Sequence, residues 1–214
     1  MLARLAVAIA AMAAVVAASN YLVQFPVQVQ VGGINLADLL TWGAFTYPVA
    51  FLVNDLTNRT LGPARARQVV LVGFAIAVVL SVILATPRIA IASGAAFLLA
   101  QLLDVSIFDR LRRSAWWQAP LLSSVVGSVI DTLLFFGIAF APALAGLDAL
   151  FGIEDGSLGF PAPFLGVGGD VPLWVSLAAG DFGVKMLVAL ALLAPYGALR
   201  RLLADRVASP TRAG

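Results

Sequence analysis

Apolar residues run almost unbroken through six stretches of the chain, roughly 3–25, 37–58, 67–86, 89–109, 117–142 and 172–203. Each is near the about 20 residues a helix needs to cross the hydrocarbon core of a bilayer. The connections between them are short, apart from 143–171, and leave no room for a separate soluble domain. The pattern predicts an all-α polytopic membrane protein: a single six-helix transmembrane domain over 1–214. Two connections break the helical rule. PVQVQVGG (26–33) alternates Val and Gln at period two and predicts a short extended segment. GLDALFGIEDGSLGFPAPFLGVGGDVPLW (146–174) is dense in Gly and Pro, and the connection 143–171, which it mostly covers, reads either as a lid over an outward-facing cavity or as a loose connector.

Composition agrees with lipid as the solvent. The chain is 62% hydrophobic and 11% charged, with a mean hydropathy of +1.02, more apolar surface than a water-soluble domain could bury. Cysteine and histidine are both absent. That removes disulfides, thiolate nucleophiles, haem ligation, the usual zinc sites and an intramembrane protease built on a Ser/His dyad or HExxH. Ser124 or Ser128 near Asp131 is the nearest thing to a nucleophile and base, without His or Cys support. An enzyme is therefore not expected, and no cofactor or metal is called for.

Charge sets the expected topology. Arginines gather before the first stretch (Arg4) and after the second (Arg59, Arg65, Arg67), the fourth (Arg110, Arg112, Arg113) and the last (Arg200, Arg201, Arg206, Arg212). The intervening connections carry Arg88 alone, and the long one carries Asp148, Glu154, Asp155 and Asp170. The positive-inside rule then places both termini in the cytoplasm, with an even number of crossings. The same pattern argues against reading the first 20 residues as a cleaved signal peptide, although their one Arg, apolar run and small-residue end fit one. The net charge of +2 is made of these juxtamembrane clusters, so no nucleic-acid partner is implied.

Polar residues inside the apolar stretches carry the functional signal. A carboxylate near the bilayer centre costs about 2.5 to 3.5 kcal/mol even on lenient insertion scales, so such residues face the protein interior and mark a pathway or site. Gln101 and Asp104 are three apart and share a helix face; Ser124, Ser128 and Asp131 form a polar stripe; Tyr47, Phe51 and Asp55 recur at i, i+4 and i+8, with Asn54 beside them. Asp181 and Lys185 are spaced for an ion pair within one helix. Each has a plainer reading: Gln101 as a helix-to-helix hydrogen bond, Asp55 in an interfacial salt bridge with the Arg59 cluster, Asp181 and Lys185 neutralising each other. Asp131, deepest in its stretch, is the strongest single candidate. Ala6, Ala10, Ala14 and Ala18 make a smooth face that suits internal helix packing or, alternatively, docking of another membrane subunit.

The run FTYPVAFLVNDLTNRTLGPARARQVVLVGF (45–74) resembles the queuosine precursor transporter family, the vitamin-uptake-transporter-like (VUT) proteins, at Tyr47-Pro48, Asp55, Gly62, Ala66-Arg67 and Gly73-Phe74. QLLDVSIFDRLR (101–112) and SSVVGSVIDTLLFFGIAF (123–140) are similar to that family's Gln-x-x-Asp-x-x-x-Phe and Ser-x-x-Gly-x-x-x-Asp-Thr motifs, and Asn20, Lys185 and Pro195-Tyr196 also fit its pattern. One departure stands out: Asn58 and Arg59 occupy the place of an acidic residue usual there. The resemblance implies import of a 7-deazaguanine, 7-cyano-7-deazaguanine (preQ0) or its aminomethyl form (preQ1), across a bacterial inner membrane. The buried polar and aromatic residues suit such a ligand independently, and the candidate substrate-binding residues are Asp131, Asp104, Gln101, Asn20, Lys185, Tyr47, Phe51, Asp55 and Ser128. A guanine-like edge has adjacent N–H donors for a carboxylate and a carbonyl for an amide, ammonium or similar donor. No Walker A pattern GxxxxGK[ST] occurs, so the chain does not itself hydrolyse ATP. Facilitated diffusion and proton coupling both stay open. So does the alternative of a substrate-binding subunit of an energy-coupling-factor transporter for a vitamin or nucleobase, which the six-span size resembles. The partners considered are the bilayer, a small nucleobase-like molecule, a second copy of the chain and energy-coupling subunits.

Overall fold

The computed structural model describes residues 2–208; Arg212 of the C-terminal basic cluster lies outside them. Among the described residues, five helices are long and apolar enough to cross a membrane: α1 (Leu2–Leu22), α4 (Pro63–Leu84), α5 (Pro87–Leu111), α6 (Gln118–Phe140) and α8 (Leu173–Ala208), the last qualifying over Leu173–Leu203. Their ends follow local chemistry. Gly62, at φ +86°, turns the chain between α3 (Val49–Leu61) and α4, and Pro63 starts α4 where no N–H is needed. Thr86 caps α5 by accepting from the Ile89 N–H, with Pro87 in the first turn.

The expected second helix, 37–58, is not continuous. It is built as a 3₁₀ turn (Leu36–Asp38), the short α2 (Gly43–Thr46) and α3. Pro48 supplies the reason: it has no N–H to give, and the chain crosses it on i to i+3 bonds, Ala50 N–H to Tyr47 O and Phe51 N–H to Pro48 O. The break places Tyr47 at a bend beside the bundle centre.

The bundle is inside-out by the standard of water-soluble proteins. Leu71, Val79, Val82, Ile83, Leu99, Leu133 and Leu187 are exposed, whereas Asn54, Asp55, Gln101, Asp104, Ser123, Asp131 and Lys185 are buried. Lipid-facing apolar surface around a polar interior is what a bilayer selects. α5 and α6 pack most extensively on each other, α4 joins α5 to α1, and α3 lies at the centre against α1, α4, α5, α6 and α8. Met12, Val16, Val69, Val70, Phe97 and Val105 form the largest apolar core. The alanine face of α1 takes no part in it: Ala6, Ala10, Ala14 and Ala18 are exposed, and Met12, Val16 and Ser19 face inward instead. The internal-packing expectation is thus corrected. The long side chain of Met12 fills the space beside Gly73, which alanines would leave empty.

Both irregular connections are ordered. Residues 30–35 form a hairpin, β1 (Gln30–Val31) with β2 (Ile34–Asn35), turned by Gly32 and Gly33 at positive φ. The long connection holds α7 (Gly146–Leu150) and a second hairpin, β3 (Pro161–Pro163) with β4 (Asp170–Pro172). Arg88 anchors it. This fully buried side chain donates to the carbonyls of Ile138 (2.7 Å) and Ala141 (2.6 Å), to the Asp148 carboxylate (2.6 Å) and to the Ser157 hydroxyl (3.0 Å). Arg88 thus ties the 143–171 connection to the end of α6.

Candidate functional site

A cleft opens between α3, α6 and α8. Its wall is Pro48, Phe51, Leu52 and Asp55 from α3 and the residue before it, Pro120, Ser124 and Ser128 from α6, and Ala189, Leu192, Leu193 and Tyr196 from α8. Apolar and aromatic walls around a few polar groups are the usual make-up of a small-molecule site. The free space is about 10 Å³, room for roughly one water. A purine-sized ligand enters only when the helices part. Phe51 reaches its place because Gly127 has no side chain; a Cβ there would stand 2.7 Å from the Phe51 ring.

On one side of the cleft lies a charged network. The Tyr47 hydroxyl donates to Asp131 Oδ1 at 2.7 Å and the Lys185 ammonium to Asp131 Oδ2 at 2.6 Å. Lys185 also pairs with Asp181 on its own helix and reaches the Thr132 hydroxyl at 3.2 Å, and that hydroxyl donates to Asp181 at 3.0 Å. One cation thus serves two carboxylates, and the network ties the bend before α3 to α6 and α8. The plain reading of Asp181 and Lys185 as a self-sufficient pair is too small: Asp131 and Tyr47 belong to the same unit.

On the other side, Arg59 closes the cleft. Its Nε–H donates to the Tyr196 hydroxyl at 3.1 Å and its guanidinium to the Arg112 carbonyl, while the charge lies 5.1 Å from the centre of the Phe108 ring. Arg59 is therefore not the salt-bridge partner of Asp55. Asp55 is buried and accepts instead from the Ser123 hydroxyl, at 3.4 Å.

Gln101 and Asp104 do not line the cleft. They sit between α3 and α5, where Asn54 donates through Nδ2 to Asp104 Oδ2 (2.8 Å) and to the Gln101 backbone carbonyl (3.2 Å). Asp104 Oδ1, Asn54 Oδ1 and both amide atoms of Gln101 have no hydrogen-bond partner among the described residues. Gln101 as a plain helix-to-helix hydrogen bond is thus not what is found. Neither Asp55 nor Asp104 has a cation within ion-pair reach among those residues. Ionised together they would each cost several kcal/mol in a low-dielectric interior.

Asn20 stays apart from these groups: it donates to the Val16 carbonyl of its own helix and accepts from Ser81 on α4. Of the other expected residues, Phe51, Asp55 and Ser128 share the cleft, and Tyr47, Asp131 and Lys185 share the charged network. The sequence reading passed over Ser123 and Thr132, which join the groups it did choose.

Comparison with known proteins decides the family. Residues 41–86 and 81–199 match the family described as "Putative vitamin uptake transporter". The chain is 33% identical over 216 residues to the queuosine precursor transporter of Escherichia coli, covering 91% of this chain and 85% of that protein. The chain belongs to the queuosine precursor transporter family. It is also 38% identical over 153 residues to a probable queuosine precursor transporter of Haemophilus influenzae, covering 59% of this chain and 65% of that one. A third relative so named, from Bacillus subtilis, is 27% identical over 128 residues, covering 47% and 56% respectively. No solved structure matches the chain. Membership makes this a multi-pass membrane transporter.

Proposed function

We propose that the protein imports a queuosine precursor, a 7-deazaguanine such as preQ0 or preQ1, across the bacterial inner membrane. The observation that carries the cargo class is the cleft wall: one carboxylate, Asp55, and one hydroxyl without a partner, Ser128, set among Phe51, Tyr196 and aliphatic side chains. The adjacent N–H donors of a guanine-like edge suit Asp55, and the carbonyl suits the Ser128 hydroxyl. Phe51 supplies a face for the ring, a contact worth about 1 to 3 kcal/mol per base. The names of the relatives point to the same cargo.

The two closures support an alternating-access cycle. Parting the Tyr47–Asp131–Lys185 network opens one side of the cleft, and parting Arg59 from Tyr196 opens the other. In this reading the broken segment 36–61 is a sixth crossing and both termini are cytoplasmic. The arginine clusters then all fall on one side, the exposed Trp116 and Trp117 lie at that interface, and 143–171 caps the outer side as a lid.

The test is complementation. In cells unable to make queuosine precursors and fed limiting preQ0, the chain restores queuosine in tRNA, and Asp55→Asn, verified in the membrane, loses most of that restoration. No restoration by a correctly inserted wild type overturns the reading.

A further inference from the structure

The polar contact between α3 and α5 is short of hydrogen-bond donors. Four buried oxygens that share it, Asp104 Oδ1, Asn54 Oδ1, Asn58 Oδ1 and Gln101 Oε1, have no donor among the described residues, against two unpartnered nitrogens on the same two helices, Gln101 Nε2 and Arg59 Nη2. All four residues are at 0% exposure. The charged and titratable groups around Asp104 are few. α3 presents Asn54 and Asp55, with Arg59 one turn on holding Tyr196 and the Arg112 carbonyl through Nε and Nη1 while its Nη2 has no partner among the described residues; α6 presents Ser123 to Asp55. Among the described residues no cation lies within ion-pair reach of the carboxylate, and what the oxygens lack is a positive hydrogen or a small positive ion.

We propose that Asp104, with Asn54 and Gln101, binds a monovalent cation, a proton or Na⁺, whose gradient drives cargo uptake. This rests on the reading of Asp55 as the cargo carboxylate. The link between the two sites is α3, on which Asn54, the donor to Asp104 at 2.8 Å, is followed directly by Asp55, which accepts from the Ser123 hydroxyl at 3.4 Å. With Asp104 negative, Asp55 and the partner of the adjacent Asn54 are two buried negative charges, and the pair resists further desolvation. A cation on Asp104 cancels that charge, and Asp55 can then be enclosed with the cargo's N–H donors. Cation and cargo each favour binding of the other, by the same factor in both directions. The cation binds Asp104 from outside and leaves the same oxygen to the cytoplasm; if it is a proton, the carboxyl O–H bond formed on entry is the one broken on exit.

The experiment uses the purified full chain in proteoliposomes, with preQ0 as probe. Without any gradient, wild type and Asp104→Asn both exchange labelled for unlabelled preQ0. Under an acid-outside or a Na⁺-outside gradient, wild type concentrates preQ0 above equilibrium, and which gradient works names the cation. Asp104→Asn only equilibrates, and Asp104→Glu regains part of the accumulation. Wild type that exchanges but accumulates under neither gradient overturns the proposal, as does Asp104→Asn accumulating like wild type. Absence of exchange in wild type is a failure of the cargo reading instead. A cargo-free measurement then still decides the cation site: in detergent, the melting temperature of wild type depends on pH or on NaCl, and Asp104→Asn flattens that dependence. An unchanged dependence overturns the site. Should Asp104→Asn fail to insert, Asn54→Leu, which removes the donor to Asp104, shifts the pH or Na⁺ dependence of accumulation; an unshifted profile overturns the site as well.

Discussion

Lys185 and Asp131 form an ion pair at 2.6 Å between α8 and α6, with side-chain exposures of only 4% and 6%. Because Asp181 pairs with the same ammonium, removing the cation and removing one carboxylate are not equivalent. Lys185→Met leaves two buried carboxylates without a counter-charge and is expected to cost about 3–5 kcal/mol. Asp131→Asn leaves Lys185 with Asp181 and costs less. Thermal unfolding of the two variants in detergent measures the difference, and equal losses contradict a network of one cation and two carboxylates.

The Arg88 anchor makes a second asymmetry. Arg88→Ala strands the buried Asp148 and frees the carbonyls of Ile138 and Ala141, so the 143–171 connection loses its fixed point, at a cost of about 3–5 kcal/mol. Arg88→Lys rescues little, because an ammonium cannot reproduce the planar fork that reaches all four acceptors. Protease cleavage within 143–171 should quicken in both variants. Cleavage at the wild-type rate in Arg88→Ala is the contrary result.

Much of this arrangement could be read along the chain, and the part that could not is non-local. Runs of apolar residues locate α1, α4, α5, α6 and α8 to within a few residues, and Thr86-Pro87 and Gly62-Pro63 mark their ends by local chemistry. Pro48 was visible too, yet the apolar run around it outweighed its missing N–H. Arg88 looked like an exception to the charge pattern because its partner, Asp148, lies 60 residues away. Spacing shows which polar residues share a helix face; only packing shows that Asp55 and Ser128 face one cleft while Asp104 and Gln101 lie against Asn54 between α3 and α5. The alanine stripe of α1 carried no address for its partner, and the structure turns it outward.

Gly127 gives a prediction about shape alone. A methyl group at this position meets the Phe51 ring at 2.7 Å, whereas at Gly137 on the same helix nothing lies within 4 Å. Gly127→Ala therefore pushes Phe51 into an already narrow cleft and costs about 1–3 kcal/mol of packing strain. Its uptake should fall well below that of Gly137→Ala at matched membrane levels. Equal uptake by the two variants would mean that Phe51 does not bound the transport path.

The cleft also predicts what the protein discriminates. If Asp55 accepts the paired N–H donors of a guanine-like edge, loss of its charge removes a charge-assisted hydrogen bond worth about 1.5–3 kcal/mol, or roughly 10- to 150-fold in apparent affinity. The same arrangement rejects a ring lacking the exocyclic amine, because one carboxylate oxygen would then be buried without a donor. Uptake of labelled preQ0 by wild type should accordingly be inhibited strongly by unlabelled preQ0 and weakly by 7-deazahypoxanthine. In Asp55→Asn the two competitors should become similar, as the neutral amide no longer favours two donors. Retained discrimination in Asp55→Asn would move the recognition of the amine to another residue, while weak inhibition of wild type by both compounds would argue against a deazaguanine as cargo.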